Sequence, residues 1–113
     1  MNELCIDQKT LEEIITIIRK FYPKSVVWAY GSRIKNDIHS GSDLDLVIKD
    51  FGQENGQISV LKEAFTESNI PFLIDVLEFD RLPKSFQKEI EEKYVVIHDG
   101  MMKQENNNEK NNC

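Results

Sequence analysis

The sequence has few cysteines and no long hydrophobic run, and both shortages narrow the class of protein. Cys5 and Cys113 stand near opposite ends and neither belongs to a C-x-x-C pair, so nothing supports a zinc or redox site. No apolar run approaches ~18 residues, and the first ten residues lack a basic stretch followed by an apolar one. We therefore expect neither a membrane span nor a signal peptide, and a reducing cytoplasm as the compartment.

Positive charge is also in short supply. Fourteen Lys and Arg residues face 20 Asp and Glu residues, which gives a formal net charge of −6. Proteins that bind duplex nucleic acid usually present a basic face, so the charge disfavours DNA or RNA as the main partner. The sequence also lacks a P-loop and a G-x-G-x-x-G motif, which disfavours kinase-like and Rossmann proteins.

The apolar pattern predicts one α/β (α+β) domain over residues 1–100. Its elements follow the order α-β-β-α-β-α-β, with a capping box over 10–13 opening the first helix and strands over 25–30, 44–49, 72–79 and 95–98. Only about a dozen residues join the first two strands, which permits antiparallel pairing. These features predict a small mixed β-sheet flanked by helices. Residues 104–112 hold no apolar side chain, so we expect the 101–113 tail to be disordered.

Two aspartates at the start of the second strand are the first candidates for chemistry. Side chains alternate across a strand, so Asp43 and Asp45 project from one face while Leu44, Leu46 and Ile48 pack on the other. Two carboxylates ~6 Å apart repel by about 3 kcal/mol at an effective dielectric of 20. A cation or a proton must therefore compensate, and Mg²⁺, which prefers carboxylate and phosphate oxygens, is the obvious candidate.

A third carboxylate lies within the apolar third strand. Asp75 is costly there unless it is paired or coordinated, and it can face Asp43 and Asp45 if the second and third strands are neighbours. Three carboxylates around two metal ions suit an in-line phosphoryl displacement, with Asp75 able to receive the proton of the attacking hydroxyl. An Asp-x-Asp pair alone is weak evidence, because surface strands carry such pairs often, and the less favoured alternative for Asp75 is an ordinary surface residue at the end of the strand.

A glycine turn follows the first strand. Gly31 lets the chain bring backbone N–H groups close to a phosphate, and Ser32 adds a hydroxyl donor that can open a short helix. Arg33 can add a charge-assisted contact to the same oxygens, although it can also be an ordinary solvated side chain. This turn is the predicted seat of the β- and γ-phosphates of a nucleotide.

Together, Gly31-Ser32, ten intervening residues, Asp43-x-Asp45 and the later Asp75 resemble the signature of polymerase-beta-like nucleotidyltransferases, in particular their minimal nucleotidyltransferase (MNT) branch. The resemblance spans roughly residues 10–100. It implies the nucleotidyltransferase core fold, ATP as the nucleotide donor, Asp43, Asp45 and Asp75 as metal-binding catalytic residues, and Gly31 and Ser32 as the nucleotide-phosphate turn.

The resemblance also implies a biological role. Some MNT proteins are antitoxins that transfer AMP to a tyrosine of a helical HEPN ribonuclease toxin and silence it. The leading hypothesis is therefore a Mg²⁺-dependent protein adenylyltransferase that modifies a HEPN-type partner. Two alternatives stay open: a non-catalytic module that neutralises its partner by occlusion, and a nucleotidyltransferase acting on a small molecule such as an antibiotic.

Overall fold

The computed structural model of the chain describes residues 6–31 and 43–100. Three α-helices and four strands follow one another as α1 (Gln8–Phe21), β1 (Val26–Tyr30), β2 (Leu44–Asp50), α2 (Ile58–Thr66), β3 (Ile74–Glu78), α3 (Lys84–Glu92) and β4 (Val95–Asp99). A short 3₁₀ turn, Phe79–Arg81, joins β3 to α3. This order confirms the predicted α-β-β-α-β-α-β arrangement.

The four strands form one mixed sheet in the order β3-β2-β1-β4. β1 pairs antiparallel with both β2 and β4, and β2 pairs parallel with β3. Consequently β1 ends at the same end of the sheet at which β2 and β3 begin. The sequence had predicted this mixed sheet, and the antiparallel pairing that the short link permits is confirmed.

The sheet separates two apolar clusters. One face packs against α1 and α2 through the main core, whose fully buried members include Ile14, Ile18, Leu44, Leu46 and Leu61. The opposite face is covered by α3 and the 3₁₀ turn, where Val47, Phe79 and Ile90 are buried together. Because Leu44, Leu46 and Ile48 all point into the main core, the alternation of β2 places Asp45 on the α3 face.

Aromatic side chains fill much of the α3 face. The Trp28 ring stacks on Tyr94 with 3.8 Å between centroids, and Tyr30 meets Phe86 edge-on at 5.9 Å. The face of α3 that carries Phe86 and Ile90 contacts the sheet, and the cluster continues to Tyr94. The ring packing therefore fixes α3 beside the end of β1.

Two predicted boundaries need correction. The first helix does not start at the 10–13 capping box, because Asp7 is its N-cap and its Oδ1 accepts a hydrogen bond from the Thr10 amide at 3.3 Å. Aspartate caps a helix as well as serine or threonine does, so the earlier residue begins the helix. The third strand is shorter than 72–79, since Phe79 already belongs to the 3₁₀ turn.

Within the described ranges, no helix is both long and apolar enough to cross a bilayer. The predicted tail, 101–113, lies outside the described residues.

Candidate active site

Three acidic residues meet at the end of the sheet where β2 and β3 begin. Asp45 of β2 and Asp75 of β3 are direct partners in the parallel register, so their side chains project from the same face of adjacent strands. Asp43 lies one residue before β2 and is exposed. The condition set by the sequence, that the second and third strands be neighbours, is therefore met.

The electrostatics show that these carboxylates influence one another. Burial raises the pKa of the Asp45 carboxyl, and the negative charges of Asp75 and Asp43 raise that pKa further. Asp45 is half-buried while Asp43 and Asp75 are exposed, so Asp45 bears the largest cost of remaining ionised. Among the described residues, negative charge accordingly accumulates at this end of the sheet.

Gly31 lies against Asp45 at the end of β1. Its φ of +91° is in the left-handed region, which favours glycine over residues with a side chain. A Cβ atom added at this position would collide with the Asp45 Oδ2 atom and approach its Cγ atom to 3.2 Å. Glycine is thus required here for two reasons: the backbone turn, and the space occupied by the carboxylate.

Tyr30 belongs to the same site, which the sequence analysis did not anticipate. It is the antiparallel register partner of Asp45, so a phenol, Asp45 and Asp75 form one row across three strands. Burial raises the pKa of the Tyr30 hydroxyl, and the charges of Asp45 and Asp75 add to that effect, so the phenol stays protonated. The apolar strand pattern gave no sign of this role, because Tyr30 reads equally well as a core residue.

The other two predicted site residues, Ser32 and Arg33, lie outside the described residues. His98 of β4 is buried, and its Nδ1 donates a hydrogen bond to the Ser25 carbonyl at 2.9 Å. Burial lowers the pKa of this imidazole.

The carboxylates suit a hard cation by chemistry, though they are not preformed as a chelate. All three candidate ligands are carboxylates, the oxygen donors that Mg²⁺ prefers, and their mutual repulsion would be relieved by a positive charge. Across residues 6–31 and 43–100, no three His, Cys, Asp or Glu side chains are arranged closely enough to hold an ion.

Comparison with known proteins identifies the family of the chain. The family model described as "Polymerase beta, Nucleotidyltransferase" matches residues 12–101, which include the glycine turn and all three aspartates. The chain belongs to the polymerase beta nucleotidyltransferase family. Over 98 residues this nucleotidyltransferase is 36% identical to the "Probable protein adenylyltransferase MntA" of Haemophilus influenzae, and the match covers 86% of each chain.

This relative places the chain in the minimal nucleotidyltransferase branch, as the sequence had suggested. The four-stranded mixed sheet with three helices is consistent with the core of that superfamily. Nucleotide transfer is the activity of the family to which the chain belongs.

Proposed function

We propose that this nucleotidyltransferase moves AMP from ATP to a hydroxyl group of a partner protein. The observation that carries the proposal is the register pairing of Asp45 with Asp75, with Asp43 close enough to affect the Asp45 pKa. The relative's name, a probable protein adenylyltransferase, supports AMP as the group transferred and a protein as the acceptor.

The proposed roles of the residues follow from their positions. Asp43 and Asp45, with Asp75, would hold Mg²⁺, which when bound supplies positive charge to the triphosphate and lowers the pKa of an attacking hydroxyl. The Gly31 turn, with Ser32 and Arg33 after it, would hold the phosphates that leave. Asp75 would receive the proton of the acceptor hydroxyl, whose oxygen bonds to the α-phosphorus as the bond to pyrophosphate breaks.

The protein acceptor is favoured by what surrounds the site. The exposed Asp43 and Asp75 leave the acidic end open, and the single sheet and its three helices fill the described chain. An acceptor must consequently bring most of its own binding surface, as a folded protein does. A HEPN-type toxin silenced by this modification is the proposed partner, and the chain would then act as its antitoxin in the cytoplasm.

The test is transfer from α-labelled ATP to the product of the adjacent gene, in the presence and absence of Mg²⁺, followed by intact-mass measurement. The expected result is an increase of one or more AMP units on the acceptor that needs Mg²⁺ and disappears when EDTA is added. The double variant Asp43→Asn with Asp45→Asn should abolish transfer while it stays folded. Absence of any nucleotide adduct from the wild-type reaction would refute the catalytic proposal.

The same double variant separates the alternatives. If it still neutralises the partner fully, the chain acts by occlusion and the transfer is not its function. If wild-type protein labels an aminoglycoside faster than any protein, the small-molecule alternative is correct. A matched control, Glu91→Gln, removes one charge from the exposed side of α3 and should leave both nucleotide transfer and neutralisation of the partner unchanged.

A further inference from the structure

An exposed groove, lined by both apolar and polar groups, lies directly before the strand that carries Asp75. It occupies about 400 Å³ between the end of α2 and the segment leading into β3, and its lining includes Phe65, Ile70 and Leu73. Leu73 is 72% exposed, the largest exposure among the large hydrophobic residues of the described chain. A single exposed leucine is ordinary on a protein surface, but Leu73 lies beside both a groove and the candidate active site, where a partner can contact it.

The position of Leu73 connects the groove to the site. Its carbonyl accepts a hydrogen bond from the Leu44 amide at 3.0 Å, so the pairing with β2 extends back to Leu73. Side chains two residues apart on a strand share a face, so Leu73 lies on the same face as Asp75, whereas Phe65 and Ile70 pack with the main core on the other face. An extended segment whose side chains alternate can therefore reach the groove on one face and cover Leu73 on the other, two residues from the carboxylate proposed to receive the proton of the acceptor hydroxyl.

The strand also offers a free backbone edge. β3 is one of the two edge strands of the sheet, and no described strand pairs with its outer side. Because the Leu73 carbonyl faces β2, backbone alternation turns the N–H and C=O groups of Ile74 and Val76 away from the sheet. Such an edge accepts an extended segment, with backbone hydrogen bonds supplying affinity and the groove supplying selectivity.

We propose that the acceptor protein docks an extended, apolar segment along the outer edge of β3, with side chains in the Leu73 groove and its hydroxyl residue beside Asp75. This inference rests on the proposed function and names the surface that serves it. The segment should carry neutral or basic residues near the hydroxyl, because three carboxylates already crowd this end of the sheet.

Charge disfavours a second copy of this chain as the occupant. Antiparallel pairing of two β3 strands over their full length would place the two Asp75 residues about 8 Å apart, given the usual strand spacing and rise. Each copy would add its own carboxylates to the same crowded end, and each chain carries a net charge of −6. Like charges near each other across paired strands are destabilising.

The test compares two acceptors: a peptide of about ten residues, with one tyrosine among alternating valine and threonine and a lysine at each end, and free tyrosine methyl ester. Leu73→Asn, which removes the apolar side chain without adding charge beside Asp75, should lower kcat/KM for the peptide at least about tenfold and leave transfer to the ester unchanged. The matched control Val96→Asn, at an exposed valine on the other edge strand, should change neither. Methylating the peptide's amide nitrogens along one edge should have the same effect as Leu73→Asn.

A measurement without turnover keeps docking separate from catalysis. In NMR spectra, about 1 mM peptide should shift the amide signals of Ile74 and Val76 and slow their hydrogen exchange. If those amides respond while no acceptor is labelled, docking is supported and the proposed function fails. If the peptide is labelled but Leu73→Asn has no effect and the amides do not respond, docking is overturned and the proposed function stands. A wild-type dimer that Leu73→Asn converts to monomer would assign the edge to a second copy and also overturn the proposal.

Discussion

Replacing Asp45 with asparagine should make the protein more stable and inactive at the same time. Asparagine has nearly the shape of aspartate, so the space beside Gly31 is preserved while one negative charge is removed. The charge is costly because Asp45 and Asp75 are register partners on adjacent strands, ~5 Å apart by the usual strand spacing. Coulomb's law gives a repulsion of about 0.8 kcal/mol at the dielectric of water and about 3 kcal/mol at an effective dielectric of 20. Since Asp75 is exposed and solvent screens the pair, we expect the free energy of unfolding to rise by about 1–2 kcal/mol at pH 7.

The pH dependence of this stability difference tests whether the charge of Asp45 causes it. The folded state raises the pKa of Asp45, so it holds this proton more tightly than the unfolded chain does. The stability that this proton supplies is complete below the unfolded pKa, near 4, and is lost as the pH rises through the folded pKa. Asparagine does not ionise, so the Asp45→Asn variant does not lose this stability as the pH rises. The difference between Asp45→Asn and wild type should therefore be small at about pH 3.5 and grow toward pH 7.

Urea denaturation followed by tryptophan fluorescence is a suitable assay, because Trp28 is the single tryptophan and is stacked on Tyr94. Adding Mg²⁺ should stabilise wild type and narrow the difference, since a bound cation relieves the same repulsion. Glu91→Gln, the control on α3, should change stability by less than about 0.5 kcal/mol. An Asp45→Asn protein that is no more stable than wild type at pH 7, or a difference that is constant with pH, would refute the electrostatic argument.

Three further outcomes test other parts of the structure. Gly31→Ala should destabilise the fold by about 1–3 kcal/mol and prevent transfer, because the new Cβ meets the Asp45 carboxylate at a positive φ; in an Asp45→Ala background, calorimetry should show a smaller cost. Wild type should lose stability as the pH falls through about 6.5, the unfolded pKa of histidine, because burial lowers the folded pKa of His98; in His98→Gln this part of the stability–pH curve should be flat. Phe86→Ala and Ile90→Ala should lose similar amounts of stability in urea denaturation. Phe86→Ala should nevertheless lower the kinetic rate of transfer more, because Phe86 contacts Tyr30 beside the carboxylates.

Much of the fold follows from the sequence because β2 alternates so clearly. Leu44, Leu46 and Ile48 define one buried face, and the same alternation places Asp45 on the other. Short connections then limit how the strands can pair, which is why the mixed sheet was predictable. The exact helix start was not, because Asp7 and Thr10 are both good N-caps and only the three-dimensional structure chooses between them.

The candidate site was predictable only where charge stood out against an apolar background. Asp75 attracted notice because a carboxylate within an apolar strand needs an explanation. Tyr30 and Leu73 gave no such signal, since an aromatic residue in a strand and a leucine near one are ordinary core residues by pattern. Their significance comes from register and edge position, which depend on which strands become neighbours.

The position of the site can be traced to a single strand. β2 pairs antiparallel with β1 on one side and parallel with β3 on the other, so the end of β1 and the starts of β2 and β3 coincide. That coincidence brings Gly31, Asp45 and Asp75 together although 44 positions separate the first from the last along the chain. The leucines of β2 anchor the strand in the main core directly behind the carboxylates, so the stability they supply offsets the repulsion on the opposite face. A core substitution such as Leu46→Ala typically costs about 2–5 kcal/mol. The double variant Leu46→Ala with Asp45→Asn should therefore have a higher free energy of unfolding than Leu46→Ala alone. Equal free energies of unfolding of the two variants, measured by urea denaturation, would show that the core does not offset the charge of the site.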